Sequence, residues 1–270
     1  GEIVGFAVMS VQLFAQTHFL ASFFPLRGAS AGYGTHATVA GQEYDVYREM
    51  YGALAEHFVA LGYFDHNVSV PARDAAAQEA FYSLGFGRSM SAAIRGVEPT
   101  ERPAAKIEMH QASAEDAEVI FALSEELTLH HARSPIFNPY IRESDDASHE
   151  MQRGLLTDAA NAHWVGYEDG KPVGMNTFMP PGFLSPMTVP DKTIYLFQGI
   201  VAKDARAGGV GTAILSKGVE WARDQGFEYV ALHFATPNLS GAKFWQSSGF
   251  QPVEYGMRRR IDERVAWANR

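Results

Sequence analysis

The sequence predicts an α/β (α+β) chain of two tandem units, and three observations carry that prediction. Thr193–Ala202 reads as a buried strand, Arg206–Thr212 as a glycine-rich turn, and Ala213–Gln225 as a helix with Ile214, Leu215, Val219 and Trp221 at helical spacing. A helix–strand–helix order also recurs. Tyr51–Gly62, Asn67–Pro71 and Ala75–Phe86 match Ser216–Gly226, Val230–Phe234 and Leu239–Phe250, with Gly85-Phe86 and Gly249-Phe250 lying 164 positions apart. Between the copies, Gly96–Pro103 is rich in proline and charge, so the domains are set at 1–98 and 104–270.

Each element follows from its local pattern. Gly1–Ala7 resembles Gly170–Asn176, and both read as the outgoing strand of a hairpin. By the repeat, the first unit begins in mid-fold, without opening strands and helices. In the second unit, Lys106–Gln111 reads as a strand. Ser113 with Asp116 starts a helix to about His130, whose apolar face is Val119, Ile120, Leu123 and Leu127. Residues 132–160 are irregular or helical. His163–Tyr167, a turn at Glu168–Gly170 and Lys171–Phe178 make a hairpin. Tyr229–Ala235 is a strand, followed by a short helix capped by Asn238 or Ser240 and ended by Gly249. One strand, Val253–Ile261, and a short amphipathic end, Asp262–Arg270, close the chain.

The turn carries the chemistry. A strand, several free amides and the positive end of a helix dipole make a place for phosphate, and glycine lets the backbone approach it closely. No lysine follows Gly211, which departs from a Walker loop. The glycines at 208, 209 and 211, with no acid ending Tyr229–Ala235, depart from a dinucleotide fingerprint. The plain alternative is that the glycines only tighten a strand-to-helix connection.

A second segment sharpens the reading. Arg206, Gly209 and Gly211 in an Arg-x-x-Gly-x-Gly order, followed by Asn238, Phe244-Trp245 and Gly249-Phe250, resemble the GNAT acetyltransferase superfamily over roughly residues 106–260. The resemblance implies two GNAT-like units, each a mixed, mostly antiparallel, splayed sheet flanked by helices. It implies acetyl-CoA as cosubstrate. Ile200, Val201 and Ala202 would pair with the pantetheine arm, and the amides of Ala207, Gly208, Gly209, Val210, Gly211 and Thr212, beside Arg206, would hold the pyrophosphate. Asn238, Phe244 and Trp245 would line the thiol end. Substituting Gly209→Glu is expected to abolish coenzyme binding.

Carried back by 164 positions, the turn falls on Gln42–Tyr47, where no glycine stands and Glu43 and Asp45 would repel a pyrophosphate. The first unit is therefore expected to be degenerate and to bind no coenzyme, with a ligand of its own as the open alternative. The resemblance calls for two strands after Phe250, yet there is room for one. That leaves a strand to be borrowed from the other half or from a second copy, as in a homodimer.

Composition narrows the function class. A chain of 270 residues that is 46% apolar and 20% charged can bury a sizeable core. A formal charge of −9 argues against nucleic acid as a partner, and no long uncharged apolar run argues for a membrane. The basic run Arg258–Arg260 reads more simply as a solvated strand edge than as a phosphate site. The absence of cysteine removes any acetyl-cysteine intermediate, so transfer would be direct. No basic segment precedes the apolar stretch Ile3–Val11, and a cytoplasmic location is expected.

The expected reaction is N-acetyl transfer to a small-molecule amine in a ternary complex. The family's usual tyrosine acid is replaced by Trp245, so His233, Tyr255 and Tyr195 stand as catalytic candidates, each with a plain structural role as its alternative. Glu254 is a candidate anchor for an ammonium, and residues 132–160 and the loop Phe178–Val189 candidate acceptor walls. His130 and His131 point about 100° apart on a helix, and no metal is expected. The rival reading is a catalytically silent CoA-binding or scaffold protein, favoured by Trp245 and the degenerate first half.

Overall fold

A computed structural model describes residues 1–268. In chain order the elements are β1 (Gly5–Ala7), β2 (Ser10–Leu13), β3 (Arg27–Ala31), β4 (His36–Thr38), α1 (Glu43–Ala60), β5 (Asp65–Pro71), α2 (Ala75–Ser83) and β6 (Gly87–Gly96). Then come β7 (Glu108–Gln111), α3 (Ala117–His131), α4 (Asp145–Thr157), β8 (Ala162–Glu168), β9 (Lys171–Met179) and β10 (Thr193–Val201). The last are α5 (Val210–Asp224), β11 (Tyr229–Ala235), α6 (Leu239–Ser247), β12 (Gln251–Arg260) and α7 (Val265–Ala268). No helix among the described residues is long and apolar enough to cross a membrane.

Two compact units form. One contains Gly1–Gln16, Phe24–Ala92 and Pro252 onward; the other contains Thr17–Phe23 and Ala93–Gln251. The linear division at 98 and 104 thus differs from the contacts at the end of the chain. β12 from Pro252 on is built into the first unit, pairing antiparallel with β5 from Glu254↔Pro71 to Arg260↔Asp65. Ala93–Gly96, the end of β6, is in turn built into the second unit.

In the first unit β2 runs antiparallel to β3, and β3 parallel to β5. A parallel pair needs a crossover, and α1 supplies it. Asp74 caps α2 by accepting from the Ala77 amide at 2.9 Å. The two helices bury Tyr47, Tyr51, Ala77, Ala80 and Phe81 against Val68, Val70 and Met257. Gly1–Ala7 departs from its expected place. β1 pairs with β4 in a separate two-stranded sheet, and it is β2 that lies beside β3.

The second unit repeats this order with β9 antiparallel to β10, β10 parallel to β11, α5 as crossover and α6 after β11. β5 and β11 agree at the 164-residue offset, and so do α2 and α6. β8 and β7 extend the sheet beyond β9, and the described part of the first unit holds no counterpart of them. The helix expected from Ser113 is there: a capping box of Ser113 and Asp116 opens a short 3-10 turn that leads into α3.

Strand alternation sorts the second unit into two faces. Ile214, Leu215 and Val219 of α5 bury Ile194, Leu196, Phe178, Val230 and Leu232 on one. Ile120 and Leu123 of α3 bury Val165, Met175 and Ile200 on the other.

Candidate active site

β10 and β11 stay paired only from Thr193↔Tyr229 to Leu196↔Leu232. At that level β10 carries a register shift between Leu196 and Gln198 against β9, a bulge that turns the strand away from its neighbour. Phe197 and His233 therefore mark the point where the strands part. Beyond it the β11 side of Gly199, Ile200 and Val201 has no register partner, while their other edge remains bonded to β9. That leaves the β11 side of Gly199–Val201 without a strand partner, with the Val201 carbonyl taken by Arg206 Nε.

The mouth of the splay leads to the glycine turn. Gly209 is the N-cap of α5 in the left-handed region (φ 86°), and Ala207 also has positive φ (70°). Among the described residues, none of the amides of Ala207–Thr212 has an acceptor. Six consecutive unpaired donors at a helix N-terminus are a receptacle for an anion. Arg206 folds back to donate from Nε to the Val201 carbonyl at 3.0 Å, with Nη1 3.4 Å from Nδ1 of His130.

The segment before β7 lies against this turn, a contact with no sequence signal. The Ala105 amide donates to the Gly209 carbonyl at 3.2 Å. A Cβ at 209 would come within 2.9 Å of the Ala105 nitrogen and 3.2 Å of the Pro103 carbonyl. Glycine is required there twice over, by φ and by space. Arg102 anchors the same segment to α6, donating to Ser247 Oγ at 2.6 Å and Ser248 Oγ at 3.0 Å, with its guanidinium over the Phe244 ring.

α6 covers the splay. Asn238 is its cap, accepting from the Gly241 amide at 3.0 Å, so one side of its carboxamide is already engaged. Trp245 reaches β10: its Cη2 lies 2.8 Å from where a Cβ on Gly199 would stand. Phe244 sits edge-on to Trp245 and approaches Gly211 in the turn.

On the α3 face, Tyr195 and His233 meet across the last paired rungs of β10 and β11. The Tyr195 hydroxyl is 3.0 Å from His233 Nδ1. The two groups share one hydrogen bond, whose direction is set by the imidazole tautomer. Burial pushes the tyrosine hydroxyl up and holds the imidazole down at about 4, neutral at physiological pH. Phe183 packs on Tyr195 and Phe197, which puts the Phe178–Val189 loop beside the pair. Ser124 of α3 donates to Gln198 Oε1 at 3.0 Å on the same face, and neither residue stood out in sequence.

Other candidates lie elsewhere. Tyr255 and Glu254 sit on the part of β12 that belongs to the first unit, so neither is built into the unit of β10 and β11. The Tyr255 ring lies under Arg88, and burial raises the Glu254 carboxyl. Glu254 is a half-buried carboxylate on β12. Arg258 forms an ion pair with Asp65 on β5, which a freely solvated strand edge would not. His130 turns toward Arg206 while His131 is buried against Phe23 and held at about 4 by burial and the neighbouring His130, so the two rings do not converge.

Residues 126–250 match the sequence model of the acetyltransferase (GNAT) family. Human N-acetyltransferase 8 is 29% identical over 102 residues, which are 38% of this chain and 44% of that protein. The chain therefore spans less than half the length of the curated relatives it matches. A GCN5-related N-acetyltransferase from Sphaerobacter thermophilus shares the fold over 97% of this chain and 78% of its own, with a TM-score of 0.58 at 13% identity. A functionally unknown conserved protein from Staphylococcus epidermidis aligns over 90% of this chain and 88% of its own, with a TM-score of 0.55 at 12% identity.

Proposed function

We propose that the chain, whose residues 126–250 match the GNAT family model, is an acyltransferase moving an acetyl group from acetyl-CoA to a small-molecule amine. The observation that carries this reading is the row of unpaired amides from Ala207 to Thr212, opening directly onto the unpaired edge of β10. Pyrophosphate on the first and an amide-bearing arm along the second suit an acyl-coenzyme. The arm would follow Gly199–Ala202, with Trp245 and Phe244 against it.

The amine nitrogen attacks the thioester carbon, the C–S bond breaks, one proton leaves nitrogen and one is gained by sulfur. Tyr195 and His233 are the proposed proton-handling pair. They lie at the parting of the strands, with a neutral imidazole and a hydroxyl already hydrogen-bonded to it. Orientation in the ternary complex contributes on the order of 7–11 kcal/mol of the barrier reduction. The first unit, whose α1 opens with Glu43 and Asp45 in its first turn, serves as a degenerate companion without coenzyme.

A silent coenzyme-binding protein is the second reading, favoured by Trp245 where the family's tyrosine stands. Thiol release from acetyl-CoA across a panel of amines separates the two. Amine-dependent release supports the enzyme, whereas tight CoA binding without turnover supports the silent protein. No coenzyme binding at all overturns both.

A further inference from the structure

Asn176 on β9 is 4% exposed, and its carboxamide makes no hydrogen bond to any described residue, with Nδ2 wholly enclosed. A buried amide left unpaired opposes folding, so such a group calls for a partner. Its position says where that partner lies. Register sets Asn176 opposite Gly199 of β10, at the level where β10 has already left β11. A Cβ on Gly199 would stand 3.0 Å from Asn176 Oδ1 and 2.8 Å from Trp245 Cη2, so carboxamide and indole flank the same bare stretch of strand. Gly174 and Phe178, two residues to either side on β9, both face α5, which puts Asn176 on the α5–α6 face with Trp245. Glycine at 199 leaves that face of the strand without a side chain of its own.

The geometry points to Asn176 as a ligand-binding residue whose Oδ1, the carboxamide atom that faces Gly199, accepts from an amide N–H in the arm of the acyl-coenzyme. This rests on the coenzyme reading above. The carboxamide is neutral, and it lies beside Gly199 rather than at the turn of residues 207–212. It therefore suits the uncharged arm, not the phosphates. Replacing the unpaired amide by an apolar side chain costs the free protein nothing, so only loss of ligand affinity separates a residue kept for a ligand from one kept for packing.

The test compares two ligands on the full chain. Asn176→Leu removes both amide atoms at similar length, and Asn176→Val guards against overpacking beside Trp245. Calorimetry measures acetyl-CoA and, separately, 3′-phospho-ADP, which is the nucleotide end without the arm. Both variants are expected to unfold at or above the wild-type temperature, to hold 3′-phospho-ADP as the wild type does, and to bind acetyl-CoA about tenfold more weakly. Unchanged acetyl-CoA affinity, equal weakening of both ligands, or a lower unfolding temperature in both variants would each overturn the assignment. A wild type that binds neither ligand overturns the coenzyme reading itself.

Discussion

The hydroxyl of Tyr195 and Nδ1 of His233 share a hydrogen bond of 3.0 Å, joining β10 to β11 where the two strands separate. Residues 38 positions apart in sequence become one unit there, and the position of the pair is set by the bulge after Leu196.

Tyr195→Phe removes the proton and keeps the ring. Turnover should fall by about 10²-fold or more, the scale of lost acid–base assistance, with acetyl-CoA affinity within about twofold of wild type. Steady-state thiol release and calorimetry check the two halves. Wild-type turnover in this variant removes Tyr195 from the chemistry.

Stability should fall on acidification. His233 and His131 are held down at about 4 in the folded chain against 6.5 ordinarily. Between those values the unfolded chain takes up protons that the folded chain refuses. Their contribution is complete above pH 6.5 and is lost as pH falls toward 4. Urea midpoints should drop between pH 7.5 and 5, and His131→Phe should shrink that drop by roughly 1 kcal/mol or more. Identical midpoints at the two pH values would contradict both assignments.

Gly208 and Gly209 separate charge from strain. A Cβ at 208 meets nothing nearer than the Ala205 carbonyl at 3.9 Å. Gly208→Asp therefore places a carboxylate at the cradle while the fold stays intact. It should weaken CoA binding at least tenfold with an unchanged unfolding temperature. Gly209→Ala must adopt positive φ and collide with Pro103–Ala105, so about 1–3 kcal/mol of stability should go. For the same reason, a glutamate at 209 would test packing as much as coenzyme binding.

Asp65→Ala leaves Arg258 half-buried without its carboxylate, at the rung where β12 joins β5. A loss of about 1–3 kcal/mol is expected, larger than for an exposed pair such as Arg260 with Glu263. Thermal unfolding of Asp65→Ala beside Glu263→Ala measures the difference.

Some of the local geometry of the candidate site was legible before the structure. The turn at 206–212 was visible because its glycines fall between a buried strand and an amphipathic helix, and the Asn238 cap because capping is local chemistry. Asn176, Arg102 and the Ser124–Gln198 contact were not legible. Asparagine in a strand and arginine in a linker carry no mark of the partner they will meet.

What the chain alone determined is whatever depends on neighbours in sequence: the order of strands and helices, the repeat that sets β5 and α2 against β11 and α6, and the glycine turn that leads into α5. Tertiary structure decided which strand lies beside which. β12 reads the same whichever unit it joins, because ladder hydrogen bonds are made by a backbone common to all residues. Only folding could show that Tyr255 goes with the first unit, that Tyr195 finds His233, and that Asn176 is left with an amide unpaired.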